Sequence, residues 1–180
     1  MTHHLPERLQ TDRLVLRAPR AADTRTLFDA YTQDADVARY MVWRPHSRLA
    51  ETEAFVQQCL RSWESGLGHP YILAKPDREL EAIGMLEARI LQHTVDIGYV
   101  LARAHWGQGL MPEAVAHLTR TALENTRFYR VQATCDVDNQ ASARTLEKAG
   151  FIREARLERY LVHPNLSSEP RPCFMYARCR

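Results

Sequence analysis

A chain of 180 residues can bury one substantial core but is short for two domains, so residues 1–180 are expected to form a single domain. Hydrophobic residues at 45% and charged residues at 26% are ordinary for a soluble globular chain, and a net charge of +2 does not demand a nucleic-acid partner. No apolar run approaches the roughly 20 residues needed to cross a bilayer. Met1 to Glu7 lacks the basic-then-apolar pattern of a secretory leader, so the expectation is a cytoplasmic protein with no membrane partner.

The four cysteines, Cys59, Cys135, Cys173 and Cys179, make no C-x-x-C pair, and none stands beside a histidine at ligand spacing. The eight histidines are scattered and no H-E-x-x-H occurs, so no metal site is expected.

In chain order, Arg13 to Ala18 alternates polar and apolar residues and predicts a first strand. Asp23-Thr24 opens a helical segment to about Tyr31, with Leu27 and Tyr31 on one face. A second helix is predicted from Leu49 to Ser65, ending at the glycines Gly66 and Gly68. A meander follows, with strands at Tyr71 to Lys75, Ala82 to Ile90 and Val95 to Leu101. Pro112 to Asn125 is a helix whose buried stripe is Ala114, Val115, Leu118 and Ala122. Tyr129 to Val137 is a strand, and Asn139 to Ala149 a short helix closed by Gly150. Phe151 to Leu161 and Cys173 to Ala177 are terminal strands separated by the loop from His163 to Pro172. The order β-α-α-β-β-β-α-β-α-β-β implies a mixed sheet covered by helices.

The segment Ala104-His105-Trp106-Gly107-Gln108-Gly109-Leu110-Met111-Pro112-Glu113-Ala114 lies between a strand and a helix. Its glycines allow positive φ and close approach of a ligand, and Pro112 suits a first helical turn. The unpaired N–H groups and the positive end of the helix dipole make an anion site, although a plain strand-to-helix turn would look the same. A dinucleotide fingerprint fails because Pro112 holds the third glycine position, and a Walker A loop fails for want of Gly-Lys-Ser/Thr.

Trp106-Gly107-Gln108-Gly109 with Glu113-Ala114 resembles the W-G-x-G-x-x-x-E-A form of the GNAT superfamily's ribosomal-protein N-terminal acetyltransferases, the RimJ/RimL branch. Within the family's Q/R-x-x-G-x-G/A signature, Trp106 and Met111 depart from the general pattern and Gly109 keeps the central glycine. Arg13-Leu14 with Leu16-Arg17 resembles the branch's opening strand, and Asp96-Ile97-Gly98-Tyr99 its E-I-G-Y strand. Asn139-Gln140-Ala141-Ser142 with Leu146-Glu147-Lys148-Ala149-Gly150-Phe151 resembles its N-x-x-S…L-E-K-x-G-F segment. The resemblance implies a mostly antiparallel seven-stranded sheet flanked by about four helices, with acetyl-CoA as cofactor. It places the cofactor against Tyr99, Val100 and Leu101, against Trp106, Gly107, Gln108, Gly109, Leu110 and Met111, and against Asn139 and Ser142.

Acetyl transfer to an amine requires a neutral nucleophile, a polarised carbonyl and a proton for the departing thiolate. The family implies that a main-chain N–H between Gly98 and Leu101 polarises the carbonyl, and that Ser142 or a water supplies the proton. Asn139 is equally a helix N-cap, with Ser142 merely in the first turn. Asp96 is the first candidate base and Glu87 the second; both are also ordinary polar-face residues, and a water chain is the alternative. Trp43 and Tyr40 either wall the acceptor pocket or belong to the core, and His105 reads as structural.

The expected acceptor is a protein N-terminal α-amine. The alternatives are a small amine (an aminoacyl conjugate, polyamine or aminoglycoside) or a non-catalytic CoA-binding module. A homodimer through the terminal strands is open, and nothing in the sequence requires it.

Overall fold

The computed structural model describes residues 5–180; the reading of the extreme N-terminus as leaderless rests partly on residues 1–4, outside that range. The described residues form a single sheet of eight strands: β1 (Arg8–Gln10), β2 (Val15–Arg17), β3 (Gly68–Ala74), β4 (Gly84–Leu91), β5 (Thr94–Leu101), β6 (Arg130–Asp136), β7 (Ile152–Leu161) and β8 (Arg171–Cys179). Their spatial order is β1-β2-β3-β4-β5-β6-β8-β7, and only the β5–β6 pair is parallel.

The count is eight strands rather than seven because Arg8–Gln10 folds back on Val15–Arg17 as a hairpin. Three residues are too few to carry an alternating pattern, so β1 is invisible to periodicity. The predicted Arg13 to Ala18 strand is accordingly trimmed to β2. Pro70 pairs with Glu87 inside β3, which therefore begins at Gly68, ahead of the predicted Tyr71.

The long helices are α3 (Leu49–Ser65) and α4 (Leu110–Glu124), with the shorter α5 (Gln140–Lys148). The remaining helical residues form α1 (Asp23–Leu27), which runs into a π-turn at Phe28–Thr32, and α2 (Ala35–Ala38), one turn that the sequence reading had not separated. In α3, Glu51 accepts main-chain bonds from Ser47 at 2.7 Å and Arg48 at 2.9 Å, which fixes its first turn. α4 starts at Leu110, two residues before the predicted Pro112, so the proline sits within the first turn.

Helices cover both faces of the sheet. On one face Leu110, Met111, Ala114, Val115, Leu118 and Ala122 of α4 and Leu146 of α5 pack with Leu86, Ala88, Val95 and Ile97. On the other, Leu27, Tyr31, Val56 and Cys59 from the N-terminal helical segment and α3 pack with Ile72 and Met85. Burying both faces takes the side chains of both clusters out of water, the dominant favourable term in folding. The predicted α4 stripe is buried as expected.

Candidate active site

Two of its own side chains bond within the loop between β5 and α4. A 3₁₀ turn at Arg103–His105 ends on Trp106, whose indole N–H donates to the Leu101 carbonyl at 2.7 Å. Gln108 Nε2 donates to the Ala104 carbonyl at 3.1 Å. Gly107 and Gly109 both adopt left-handed backbone, with φ of 74° and 72°, where a side chain would be strained. Gly109 is the N-cap of α4, and no side chain caps that helix. Its first N–H groups and dipole are therefore left uncapped by side chains, an arrangement that suits an anion. Met111, the departure from the small-residue pattern, buries its side chain in the core beneath α4, which leaves only its main chain at the loop surface.

Beside the loop the sheet opens. β5 pairs with β4 along all of Thr94–Leu101, but with β6 only at Thr94–Arg130, Val95–Val131 and Asp96–Gln132. β6 pairs with β8 along its whole length. From Ile97 onward, β5 and β6 diverge into a wedge. Tyr99 and Leu101 pack toward the α4 face, and Val100 packs toward the α3 face. What β5 presents to the wedge between Gly98 and Leu101 is main chain, which can align an extended ligand as an added strand would.

Two hydroxyls meet across this wedge. Tyr99 Oη lies 2.8 Å from Ser142 Oγ and 3.2 Å from the Ser142 carbonyl oxygen. Asn139 Oδ1 accepts the Ser142 main-chain N–H at 3.2 Å, so Asn139 is the N-cap of α5 and fixes Ser142 at its third position. Burial holds the Tyr99 phenol above its ordinary value despite the bond with Ser142, so it stays protonated. Burial likewise pushes the neighbouring Cys135 thiol up to about 11, keeping it neutral.

The carboxylates lie on the opposite face. Side chains alternate along strands, so Glu87, Arg89 and Asp96 share the α3 face with Met85 and Val100. Arg89 joins both: its Nη1 donates to Glu87 Oε2 at 2.7 Å and its Nε to Asp96 Oδ1 at 3.1 Å. Gln132 Nε2 reaches Asp96 Oδ2 at 3.3 Å. Both Asp96 oxygens thus already accept hydrogen bonds at the vertex of the wedge. Glu87 also lines a pocket of about 100 Å³ with Phe55, Gln58, Cys59, Ser62, Pro70 and Met85. A side chain at Gly98 would meet Arg89 Nη1 at 3.3 Å, so a glycine there lets the guanidinium lie across β5.

The segment around Tyr40 and Trp43 is tied to the β7–β8 loop. Asn165 Nδ2 donates to the Ala38 carbonyl at 2.6 Å and the Trp43 carbonyl at 2.8 Å. Tyr40 sits edge-on to His163, with centroids 6.5 Å apart. Arg171 donates to Asp136 at 2.6 Å and to Asp138 at 2.6 Å, anchoring the loop at the end of β6. Trp43 packs against the second core cluster, so it belongs to the core as much as to a pocket wall. His105, beside the loop, has its pKa lowered by burial and then by Lys75.

Sequence reasoning did not find the Tyr99 hydroxyl, Arg89 or Asn165. The resemblance sets Tyr99 against the cofactor but gives its hydroxyl no partner, and pairing it with Ser142 requires knowing that α5 returns across the wedge. Arg89 lies two residues from Glu87, a same-face strand spacing that could have revealed that pair. Among the described residues no group of three or more His, Cys, Asp or Glu could hold a metal ion. No helix of the described residues is long and apolar enough to cross a membrane. All four cysteines are free.

This architecture defines an acyl-transfer domain, and the acetyltransferase (GNAT) domain family matches residues 13–152. The chain belongs to the GNAT family; it is an N-acetyltransferase, and its acetyl donor is acetyl-CoA. Its relatives include the YkkB protein of Bacillus subtilis (strain 168), 33% identical over 148 residues, 80% of this chain and 84% of that one. The [ribosomal protein uS5]-alanine N-acetyltransferase of Escherichia coli (strain K12) is 27% identical over 164 residues, 86% of this chain and 83% of that one. Among solved structures, the microcin C7 self-immunity acetyltransferase MccE, in complex with acetyl-CoA and AMP, superposes with a TM-score of 0.86 at 19% identity over 99% of both chains.

Proposed function

We propose that this enzyme acetylates the N-terminal α-amine of a protein, with a ribosomal-protein-like acceptor, by direct attack in a ternary complex. The observation that carries the mechanism is the two-sided wedge. The Tyr99–Ser142 hydroxyl pair stands on the α4–α5 face and the Glu87–Arg89–Asp96 cluster on the other. Donor and amine can then approach through one opening from opposite sides, which converts a bimolecular step into a positioned one.

In this reading the main chain of Trp106 to Met111 would hold the pyrophosphate, and Tyr99, Val100 and Leu101 would align the extended arm. The residues fit such a donor: left-handed glycines, an uncapped helix start and an unpaired strand edge converge there. A main-chain N–H between Gly98 and Leu101 polarises the thioester carbonyl. Ser142 would donate its proton to the departing sulfur and take one in turn from Tyr99, while Asn139 holds Ser142 in place. On the amine side Asp96, and second Glu87, accept the proton through a water, because Arg89 and Gln132 already bond both Asp96 oxygens and Arg89 bonds Glu87 Oε2.

The protein acceptor is supported by the kinship with the uS5-alanine enzyme. The wall formed by Tyr40 to Trp43 and His163 to Asn165 offers an extended segment somewhere to lie. The test is thiol release from acetyl-CoA with N-terminal peptides of ribosomal proteins, set against polyamines, aminoglycosides and aminoacyl nucleotides. Peptide turnover with the acetyl group on the α-nitrogen is expected. Turnover confined to small amines would overturn the reading.

A further inference from the structure

The hairpin turn between β1 and β2 reaches across about a hundred residues of sequence to the back of the glycine loop. Arg13 Nη1 donates to the Gln108 carbonyl at 2.9 Å, and Nη2 to the Gly109 carbonyl at 3.3 Å. Its Nε donates to Glu113 Oε2 at 2.6 Å. The other oxygen of Glu113 accepts from Thr11 Oγ1 at 2.6 Å and from the Arg13 main-chain N–H at 3.1 Å. One guanidinium therefore holds two loop carbonyls while a carboxylate from the first turn of α4 holds the guanidinium.

A trans peptide unit points its C=O and the following N–H in opposite directions. Drawing the carbonyls of Gln108 and Gly109 toward Arg13 turns the N–H groups of Gly109 and Leu110 the other way, out toward an approaching anion. Left-handed glycines leave this loop conformationally free in themselves, so something must choose the orientation before ligand arrives. An arginine fork suits the task, because its planar donors fix three acceptors at once.

We propose that Arg13, locked by Glu113 and Thr11, is a positioning residue that presets the loop's N–H groups for the donor's pyrophosphate. The inference rests on the reading of Trp106 to Met111 as the pyrophosphate site. It also gives a joint role to Arg13 and Glu113, which sequence motifs about a hundred residues apart contain.

The test compares kcat/KM for acetyl-CoA with that for S-acetylpantetheine, which lacks pyrophosphate and nucleotide. Arg13→Met and Glu113→Gln are each expected to lower the ratio of the two values about tenfold, chiefly through KM for acetyl-CoA, a loss in the range of a charge-assisted hydrogen bond. Arg13→Lys retains the charge without the fork and should give an intermediate ratio even if Arg13→Met folds poorly. Equal losses with both donors would show that the brace supports only the fold, and would overturn the proposal. Gly109→Val separates the two levels: if it fails to alter the ratio, the pyrophosphate reading falls and the brace with it. If Gly109→Val lowers the ratio and the Arg13 variants do not, the brace alone falls.

Discussion

Tyr99 Oη lies within hydrogen-bond distance of both Ser142 Oγ, at 2.8 Å, and the Ser142 carbonyl oxygen, at 3.2 Å. The phenol has one proton and must choose between them. Donated to the carbonyl, it leaves a lone pair that turns the Ser142 hydroxyl proton inward; donated to Oγ, it frees that proton, which the proposed reaction sends to the departing sulfur. Ser142→Ala should lower kcat about a hundredfold and Tyr99→Phe about tenfold, within or below the usual range for a positioned proton donor. KM for acetyl-CoA should shift less than kcat in both. Steady-state thiol release measures this, and unaltered kcat in Ser142→Ala would remove the serine from the chemistry.

The two carboxylates share Arg89 but not position, since Asp96 stands at the vertex of the wedge and Glu87 lines the pocket against α3. Asp96→Asn is therefore expected to cost more in kcat/KM for the amine than Glu87→Gln, on the order of ten- to a hundredfold against a fewfold. The reverse ranking would transfer the base to Glu87.

Gly109→Ala forces a side chain into left-handed backbone at φ 72°, a strain of about 1–2 kcal/mol. Because nothing crowds a Cβ there more closely than Arg13 Nη2 at 3.6 Å, the cost is conformational rather than steric. A lower thermal midpoint together with weaker CoA binding by calorimetry is expected. Weaker binding with an unchanged midpoint would contradict the strain argument.

Asn165→Ala removes two hydrogen bonds to the Ala38 and Trp43 carbonyls, worth roughly 1 kcal/mol each. Both lie in the segment proposed above to wall the acceptor, and neither bond involves the loop at Trp106 to Met111. KM for the amine should rise several-fold while KM for acetyl-CoA stays put, read from two substrate titrations of the same preparation.

Burial lowers the His163 pKa, and the Asp136 charge offsets this only in part. A native pKa below the unfolded value, about 6.5, means that the unfolded chain binds the proton more readily. Stability is then full above that value and declines as pH falls, until the native pKa has been passed. His46, His105 and His117 act in the same direction, so the informative quantity is the difference from His163→Gln. The loss of stability between pH 7.5 and 5.5 should be smaller in the variant, by no more than about 1.4 kcal/mol per pH unit for one proton. Denaturant melts at the two pH values test this; identical losses would relieve His163 of the role.

The α4 stripe, the Leu49–Ser65 helix and the Asn139 cap were legible because each follows from local periodicity or capping chemistry. The strand at Arg8–Gln10 and the turn at Ala35–Ala38 were not, since elements this short are made by tertiary contacts rather than by pattern. At the site, residue types pointed to the loop and to Ser142. The partners of those residues, Tyr99 for Ser142 and Arg89 for Asp96, depend on strand register and on where α5 lands. Register joins positions seven residues apart in one case and forty-three in the other, and composition does not encode it.

The three-residue pairing of β5 with β6 has one more consequence. A sheet normally exposes unpaired amides only at its outer strands, where another chain can add on and aggregate. Here part of that exposure is moved inside the molecule, as an interior edge of five β5 residues flanked by the enzyme's own strands. Such a slot, bounded on both sides by strands of the same sheet, offers no outer edge for a second sheet to join. The same gap that weakens the sheet thus screens what can use it.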